Sequence, residues 1–270
     1  SNPLHELVTQ LRLFKRLTLV AFLFSLILPG KLYAQGVPTP DENLLSGFDW
    51  RYVGPAIAGG RITDVEIVLD DPSHWFIGAA SGGVFESRNR GVTWKPIFDD
   101  APNLSIGDIA LAPSDPLEIW IGTGEANNRN SSPWGAGIFH SSDGGKTWVF
   151  KGLEDTRHIG KVIVHPTDPE TVWVAAVGHL WGPNSERGVY KTTDRGATWT
   201  KSLYLDSNTG VVDIALHPSD PNVLYAATYT RRRRAWGFLG GGPNGGIYRS
   251  LDGGESWSRM TDGLPEGDIG

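Results

Sequence analysis

The sequence predicts an all-β protein: a β-propeller of about four four-stranded blades, with a lone closing strand ahead of them and the ring left incomplete. Three observations carry that expectation. An octet of the form S/T-x-D/N-x-G-x-T/S-W occurs four times, as SRNRGVTW from Ser87, SSDGGKTW from Ser141, TTDRGATW from Thr192 and SLDGGESW from Ser250. A second signature, an apolar run closed by Asp-Pro, starts at Asp64, Asp108, Lys161 and Asp213, and Asp268 begins a fifth copy, at spacings of 44, 53, 52 and 55 residues. The 35 Gly and 18 Pro among 270 residues punctuate the chain too often for long helices, while 39% hydrophobic residues and 11 Trp suffice for a core. Four short strands repeated at such a period are the sequence sign of propeller blades.

Taken in order, residues 1–34 read as a secretory signal peptide. Arg12, Lys15 and Arg16 precede the apolar run from Leu17 to Pro29, and Ala34 is the expected last residue before cleavage. The run is short for a retained membrane anchor, so no span is expected after cleavage and the product is secreted, periplasmic or on the cell surface. The sole methionine is Met260, so the initiator is expected to be missing or replaced. Residues 35–47 read as a linker and 48–270 as the propeller segment.

Residues 48–53, with Trp50, read as a lone fourth strand, because Trp50 precedes Asp64 by 14 residues, just as Trp94, Trp148 and Trp199 precede their next repeats by 14, 13 and 14. Such a strand closes the last blade of a ring and removes an exposed edge. The blades then span approximately 61–99, 105–153, 158–205 and 210–260, with a fifth starting at 266. Each has an apolar first strand and a second strand bearing an aromatic four residues after the turn proline (Phe76, Trp120, Trp173, Tyr225). A third strand begins at a glycine, and the fourth opens at the octet tryptophan. In the octet the Asp or Asn side chain accepts turn N–H groups and the glycine allows a positive φ, so the octet is expected to build the hairpin between strands three and four. Four blades and a stub make an open arc, which reads as the N-terminal piece of a longer protein.

Composition excludes several functions. The net charge of −6 becomes −9 once residues 1–34 are removed, so no general phosphate-binding surface and no nucleic-acid partner are expected. The absence of Cys excludes disulfides, thiolate catalysis and Cys-ligated metals. No His/Asp/Glu spacing of a metal site and no phosphate loop is present, so no metal and no cofactor are expected.

The octets resemble the Asp-box, or BNR repeat, of sialidases, sortilin-type receptors and xyloglucanases. From Phe48 to Gly270 the chain is similar to bacterial secreted proteins described as sortilin N-terminal-like or "glycosyl hydrolase" BNR proteins, most distinctively at GTGEANNRN, GHLWGPNSERG and TYTRRRRAWGF. The resemblance implies a propeller but leaves function open, since this fold hosts both binders and enzymes.

Loop length points to the functional face. From the strand-two aromatic to the strand-three aromatic the first blade uses 9 residues, and the next three use 19, 17 and 23. The extra length falls on one face, the usual binding side of a repeat array. Each long loop carries one tryptophan outside the strands: Trp134, Trp181 and Trp236. Two readings stay open for them: pins that hold each loop against its blade, or platforms for sugar rings or peptide side chains. Glu125, Asn127, Asn128, Arg129, Asn130 and His179 supply hydrogen-bonding groups beside them. Arg231, Arg232, Arg233 and Arg234 read either as a solvated loop or as a recognition site for carboxylate or sulfate. Arg61, in GRIT, supplies only one part of a sialidase site.

The leading expectation is therefore a secreted propeller that binds a carbohydrate or polypeptide on its loop face. The alternative is a glycoside hydrolase of the xyloglucanase type. GGRITDVEIV resembles the xyloglucanase segment that carries one catalytic Asp, which would make Asp64 one of two acids, the other lying outside this chain. Against this, acids recur at the start of strand one in nearly every blade, which favours a structural role.

Overall fold

A computed structural model describes residues 61–129 and 132–264. The signal peptide, the linker, the strand expected around Trp50, Asn130 and the start of a fifth repeat lie outside the described residues.

Four antiparallel sheets follow one another along the chain. The first holds β1 (Ile62–Ile67), β2 (Trp75–Ala79), β3 (Gly83–Ser87) and β4 (Lys95–Pro96). The second holds β5 (Ile106–Ala112), β6 (Asp115–Thr123), β7 (Ile138–Ser141) and β8 (Val149–Phe150). After a 3-10 turn at Glu154–Thr156 come β9 (Ile159–Val164), β10 (Val172–Ala176), β11 (Gly188–Thr192) and β12 (Thr200–Leu203). The last sheet holds β13 (Thr209–His217), β14 (Asp220–Arg234), β16 (Gly246–Ser250) and β17 (Ser258–Arg259), and β15 (Gly237–Gly240) extends β14 into a projecting hairpin. The first strands β1, β5, β9 and β13 neighbour one another in turn, as the innermost strands of propeller blades do.

The register repeats from sheet to sheet. The strand-two aromatics pair across to strand three as Phe76 with Glu86, Trp120 with His140, Trp173 with Lys191 and Tyr225 with Arg249. The first strand of every sheet also carries a bulge at the same place. Thr63, Gly107, Gly160 and Val212 are skipped by the ladder, immediately before Asp64, Asp108, Lys161 and Asp213. A bulge turns one residue out of the pairing and bends its strand. At Gly107 and Gly160 that bend presses the backbone on the next blade: a Cβ would lie 2.0 Å from the Ile159 carbonyl oxygen and 2.2 Å from that of Val212.

The octets do what their residues imply, and they also join blades. In the second copy Asp143 accepts the Thr147 N–H at 2.9 Å and its hydroxyl at 2.6 Å, while Ser141 Oγ accepts the Gly145 N–H at 2.8 Å. The third and fourth copies repeat these bonds. In the first copy Asn89 keeps the backbone acceptor at 2.9 Å and its amide donates to Thr93 Oγ1. These bonds hold Asp143, Asp194 and Asp252 below the usual carboxylate range, Asp194 at about 2.

The octet tryptophans of blades two to four each reach back to the preceding blade. Trp148 donates its indole N–H to the Ile97 carbonyl at 2.7 Å, Trp199 to that of Lys151 at 2.7 Å, and Trp257 to Ser202 Oγ at 2.8 Å. Among the described residues the apolar core accordingly forms three clusters, one between each successive pair of sheets, and each contains one of these rings at its margin.

Candidate functional site

The long connections fall between strands two and three of blades two to four: residues 124–137, 177–187 and the β14–β15 hairpin through Gly245. They meet the connections between blades. Asn103 Nδ2 donates to the Trp134 carbonyl, His179 Nε2 contacts Asp155, and the Asn184 N–H donates to the Ser207 carbonyl. One face therefore carries both sets of loops.

Two buried arginines hold this face together. Arg231, 1% exposed, donates to the carbonyls of Ala126 and Asn127 and to Ser132 Oγ, all in the blade-two loop. Arg187, 0% exposed, donates to the carbonyls of Val177, His179, Gly182 and Asn208. Burial lowers the pKa of both guanidinium groups, Arg187 to about 10. Among the described residues no carboxylate lies within ion-pair distance of either; carbonyl dipoles solvate the charge instead. Arg231–Arg234 thus lie on a strand rather than in a solvated loop. Arg232 reaches Asn208 Oδ1 at 3.4 Å, Arg233 stacks its guanidinium 4.9 Å from the Phe238 ring centroid, and Arg234 is exposed.

Arg61 and Glu125 are brought together. Glu125, 0% exposed, takes Arg61 Nε at 2.7 Å and the second guanidinium nitrogen in a bidentate pair. That hydrogen bond raises the Arg61 pKa and ties the start of blade one to the loop of blade two. His158, beneath the same loops, bonds the Gly178 carbonyl through Nδ1 at 2.9 Å, and burial lowers it to about 4, so it is neutral at pH 7.

Trp134, Trp181 and Trp236 are 61, 58 and 83% exposed. None is a buried pin. The Arg157 guanidinium stands 5.3 Å from the Trp134 ring centroid, a cation–π contact that braces the ring from one side. The Arg233 N–H donates to the Leu180 carbonyl at 2.8 Å, so the loop carrying Trp181 is joined to the hairpin carrying Trp236. Asn127, Asn128 and Arg129 are exposed beside them, with Asn128 Nδ2 3.3 Å from the Tyr229 hydroxyl.

Of the strand-one acids, Asp108 is buried, Asp64 partly buried and Asp213 exposed. Asp64 Oδ2 accepts the Ile109 N–H at 3.1 Å, and Asp108 Oδ2 accepts the Val162 N–H at 2.8 Å. Asp64 and Asp108 thus each cap the innermost strand of the next blade, a tie that joins strand to strand. Lys161 Nζ completes the Asp108 site at 2.8 Å. Burial, opposed by Lys161, raises Asp108 to about 7, and burial with the neighbouring Asp64 charge raises Glu66 to about 7. The sequence singled out Asp64 and missed Glu66, two residues along the same strand and on the same side of it.

The comparisons with known proteins agree with this architecture. Residues 136–266 match the family described as Sortilin-Vps10 (Sortilin, neurotensin receptor 3). A xyloglucanase from Paenibacillus sp is 26% identical over 242 residues, covering 82% of this chain and 23% of the relative. Xyloglucanase Xgh74A of Acetivibrio thermocellus is 25% identical, covering 85% of this chain and 29% of the relative. The crystal structure of an ancestral GH74 enzyme superposes with a TM-score of 0.58 at 19% identity, over 80% of this chain and 26% of that one. The chain spans about a quarter of the length of these relatives.

Proposed function

Taking the chain as a xyloglucanase-like β-propeller, we propose that its loop face is a polysaccharide-binding surface of a secreted glycoside hydrolase larger than these residues, acting on a β-glucan of the xyloglucan type. The observation that carries this reading is the set of three exposed tryptophans, one on each long loop, held by Arg231, Arg187 and the Leu180 bond rather than buried by their blades. Rigid aromatic faces beside amides and guanidinium groups suit a chain of sugar rings, whose C–H faces stack and whose hydroxyls take hydrogen bonds. The relatives named xyloglucanase favour a polysaccharide over a polypeptide ligand.

Under this proposal Asp64 supplies one of the two carboxylates, the partner lying outside this chain, because hydrolysis of a glycosidic bond takes two. Asp64→Asn is a clean test, since the amide oxygen can still accept the Ile109 N–H. Hydrolysis of xyloglucan by the full-length protein that survives Asp64→Asn would remove Asp64 from the reaction. For the face itself, Trp134→Ala, Trp181→Ala and Trp236→Ala are each expected to weaken xyloglucan retention in affinity electrophoresis by about 2- to 10-fold, as a stacked contact is worth about 0.5 to 1.5 kcal/mol. The melting temperature should stay unchanged, given the exposure of the rings. Unchanged retention in all three variants would refute the binding surface.

A further inference from the structure

The connection between blades two and three grips two of the tryptophan loops from one place. Leu153 and Arg157 flank the 3-10 turn at Glu154–Thr156, and both have positive φ. Arg157, at φ 61° and ψ −41°, is the centre of a γ-turn closed by the His158 N–H on the Thr156 carbonyl at 2.7 Å. A γ-turn of this hand is rare and strained, whereas glycine adopts positive φ at no steric cost. The turn aims the Arg157 carbonyl at the N–H of Gly135, 2.6 Å away and next to Trp134 in sequence, where Gly124 leaves no room for a Cβ. A glycine at 157 would make the same turn, so the arginine is explained by its side chain. Its guanidinium stands 5.3 Å from the Trp134 ring centroid, and its Nε is 3.3 Å from Asp155 Oδ1. The same Asp155 oxygen meets His179 Nε2 at 3.0 Å, and the Asp155 carbonyl accepts Asn184 Nδ2 at 3.3 Å. His179 and Asn184 lie on either side of Trp181 in the blade-three loop.

We propose that Arg157 is a positioning residue of the loop face: from its strained turn it fixes the Trp134 ring directly and the Trp181 loop through Asp155, so that the two rings meet a glycan chain as one preset unit. The proposal rests on the reading of this face as a polysaccharide-binding surface. Stability does not account for the arrangement. The Arg157 and Asp155 side chains are 35 and 57% exposed, and ion pairs at such exposure contribute little. Backbone strain that nearby contacts do not offset is found at functional positions. At 61% exposure the Trp134 ring is not fixed by burial, and a ring already held in place loses less freedom when a ligand stacks on it. Arg157 acts through Trp134 and needs no contact of its own with the glycan.

The test labels the full chain with 5-fluorotryptophan, assigns the Trp134 and Trp181 fluorine resonances through Trp134→Phe and Trp181→Phe, and measures xyloglucan retention by affinity electrophoresis with Tm alongside. Arg157→Gly permits the turn and removes the guanidinium. It should move the Trp134 resonance toward that of the free fluorinated amino acid and weaken retention by about 2- to 5-fold, the range of an exposed cation–π contact, without lowering Tm. Arg157→Lys, which keeps the charge but not the planar fork, should recover part of the retention. Asp155→Ala should move both resonances. In a Trp134→Ala background, Arg157→Gly should weaken retention by less than it does alone, because the ring it positions is gone. The proposal is overturned by an unmoved Trp134 resonance, by unchanged retention in Arg157→Gly while Trp134→Ala weakens it, or by effects that multiply in the double variant. It is equally overturned if lost retention comes with a fall in Tm, the mark of a merely structural role. Retention unchanged in Trp134→Ala and Trp181→Ala fails the polysaccharide reading instead, and the fluorine resonances then decide alone whether Arg157 holds the ring.

Discussion

Removing the Arg231 guanidinium tests how the loop face is held. In Arg231→Met the aliphatic stem is roughly preserved and three hydrogen bonds vanish, to Ala126, Asn127 and Ser132. A bond from a charged donor is worth about 1.5 to 3 kcal/mol, so the gross loss is several kcal/mol. Two effects reduce it. The buried charge itself costs a few kcal/mol of desolvation, which methionine does not incur. Asn127 is exposed and Ala126 partly so, and water can replace the guanidinium at their carbonyls. The net expectation is about 2 kcal/mol, concentrated in the loop. At about 2 to 4 °C per kcal/mol for a domain of this size, that is a fall of about 4 to 8 °C in Tm if the loop unfolds with the blade. The assay is hydrogen exchange followed by mass spectrometry, with a thermal melt alongside. Amides from Glu125 to Gly137 should lose protection while the blade-one strands keep theirs. Arg231→Lys, with one point charge for a fork of donors, should recover only part of it. Unchanged exchange in this loop would mean that Arg231 does not clamp it, and the physical account of the face would fail.

Two further expectations follow from the fold. Gly145 sits at φ +84° with a hypothetical Cβ 2.8 Å from Ile97 Cδ1, so Gly145→Ala should cost about 1 to 3 kcal/mol by denaturant titration through backbone strain and overpacking at the joint between blades one and two. Glu66 is raised to about 7 in the folded chain, so the folded state holds its proton more tightly than the unfolded state does. Its contribution is present below the unfolded pKa and is lost as pH rises through about 7, by roughly 2 kcal/mol after allowance for partial exposure. Glu66→Gln should therefore stabilise the protein at pH 8 and change little at pH 4, and equal effects at both would refute this.

The fold was legible because its cause is written four times. An octet that closes its own hairpin, an aromatic at a fixed distance from a turn proline, and loops that lengthen on one side are all local patterns, and local patterns survive in a linear string. The partners of Arg231 are about a hundred residues away in another blade, and nothing in RRRR distinguishes the member that will be buried from the one that will be exposed. Likewise nothing in GHLWGPNSERG shows that the Arg187 guanidinium is taken up by backbone carbonyls. The bulges left no residue signature, since Thr, Gly, Gly and Val occupy the slot. The repeat marks the acid at the start of the strand and not Glu66, whose raised pKa arises from its own partial burial and from the neighbouring Asp64 charge.

The backward reach of Trp148, Trp199 and Trp257 gives the array a polarity. Blades two to four each finish by fastening themselves to an older neighbour already made by the ribosome, so assembly can advance one tile at a time in the direction of synthesis without waiting for distant sequence. The coupling is between nearest neighbours, and damage should spread unequally. A fault in the seam at Trp257 leaves the first two blades with all their mutual contacts. A fault at Trp148 removes the footing on which each later tile was laid.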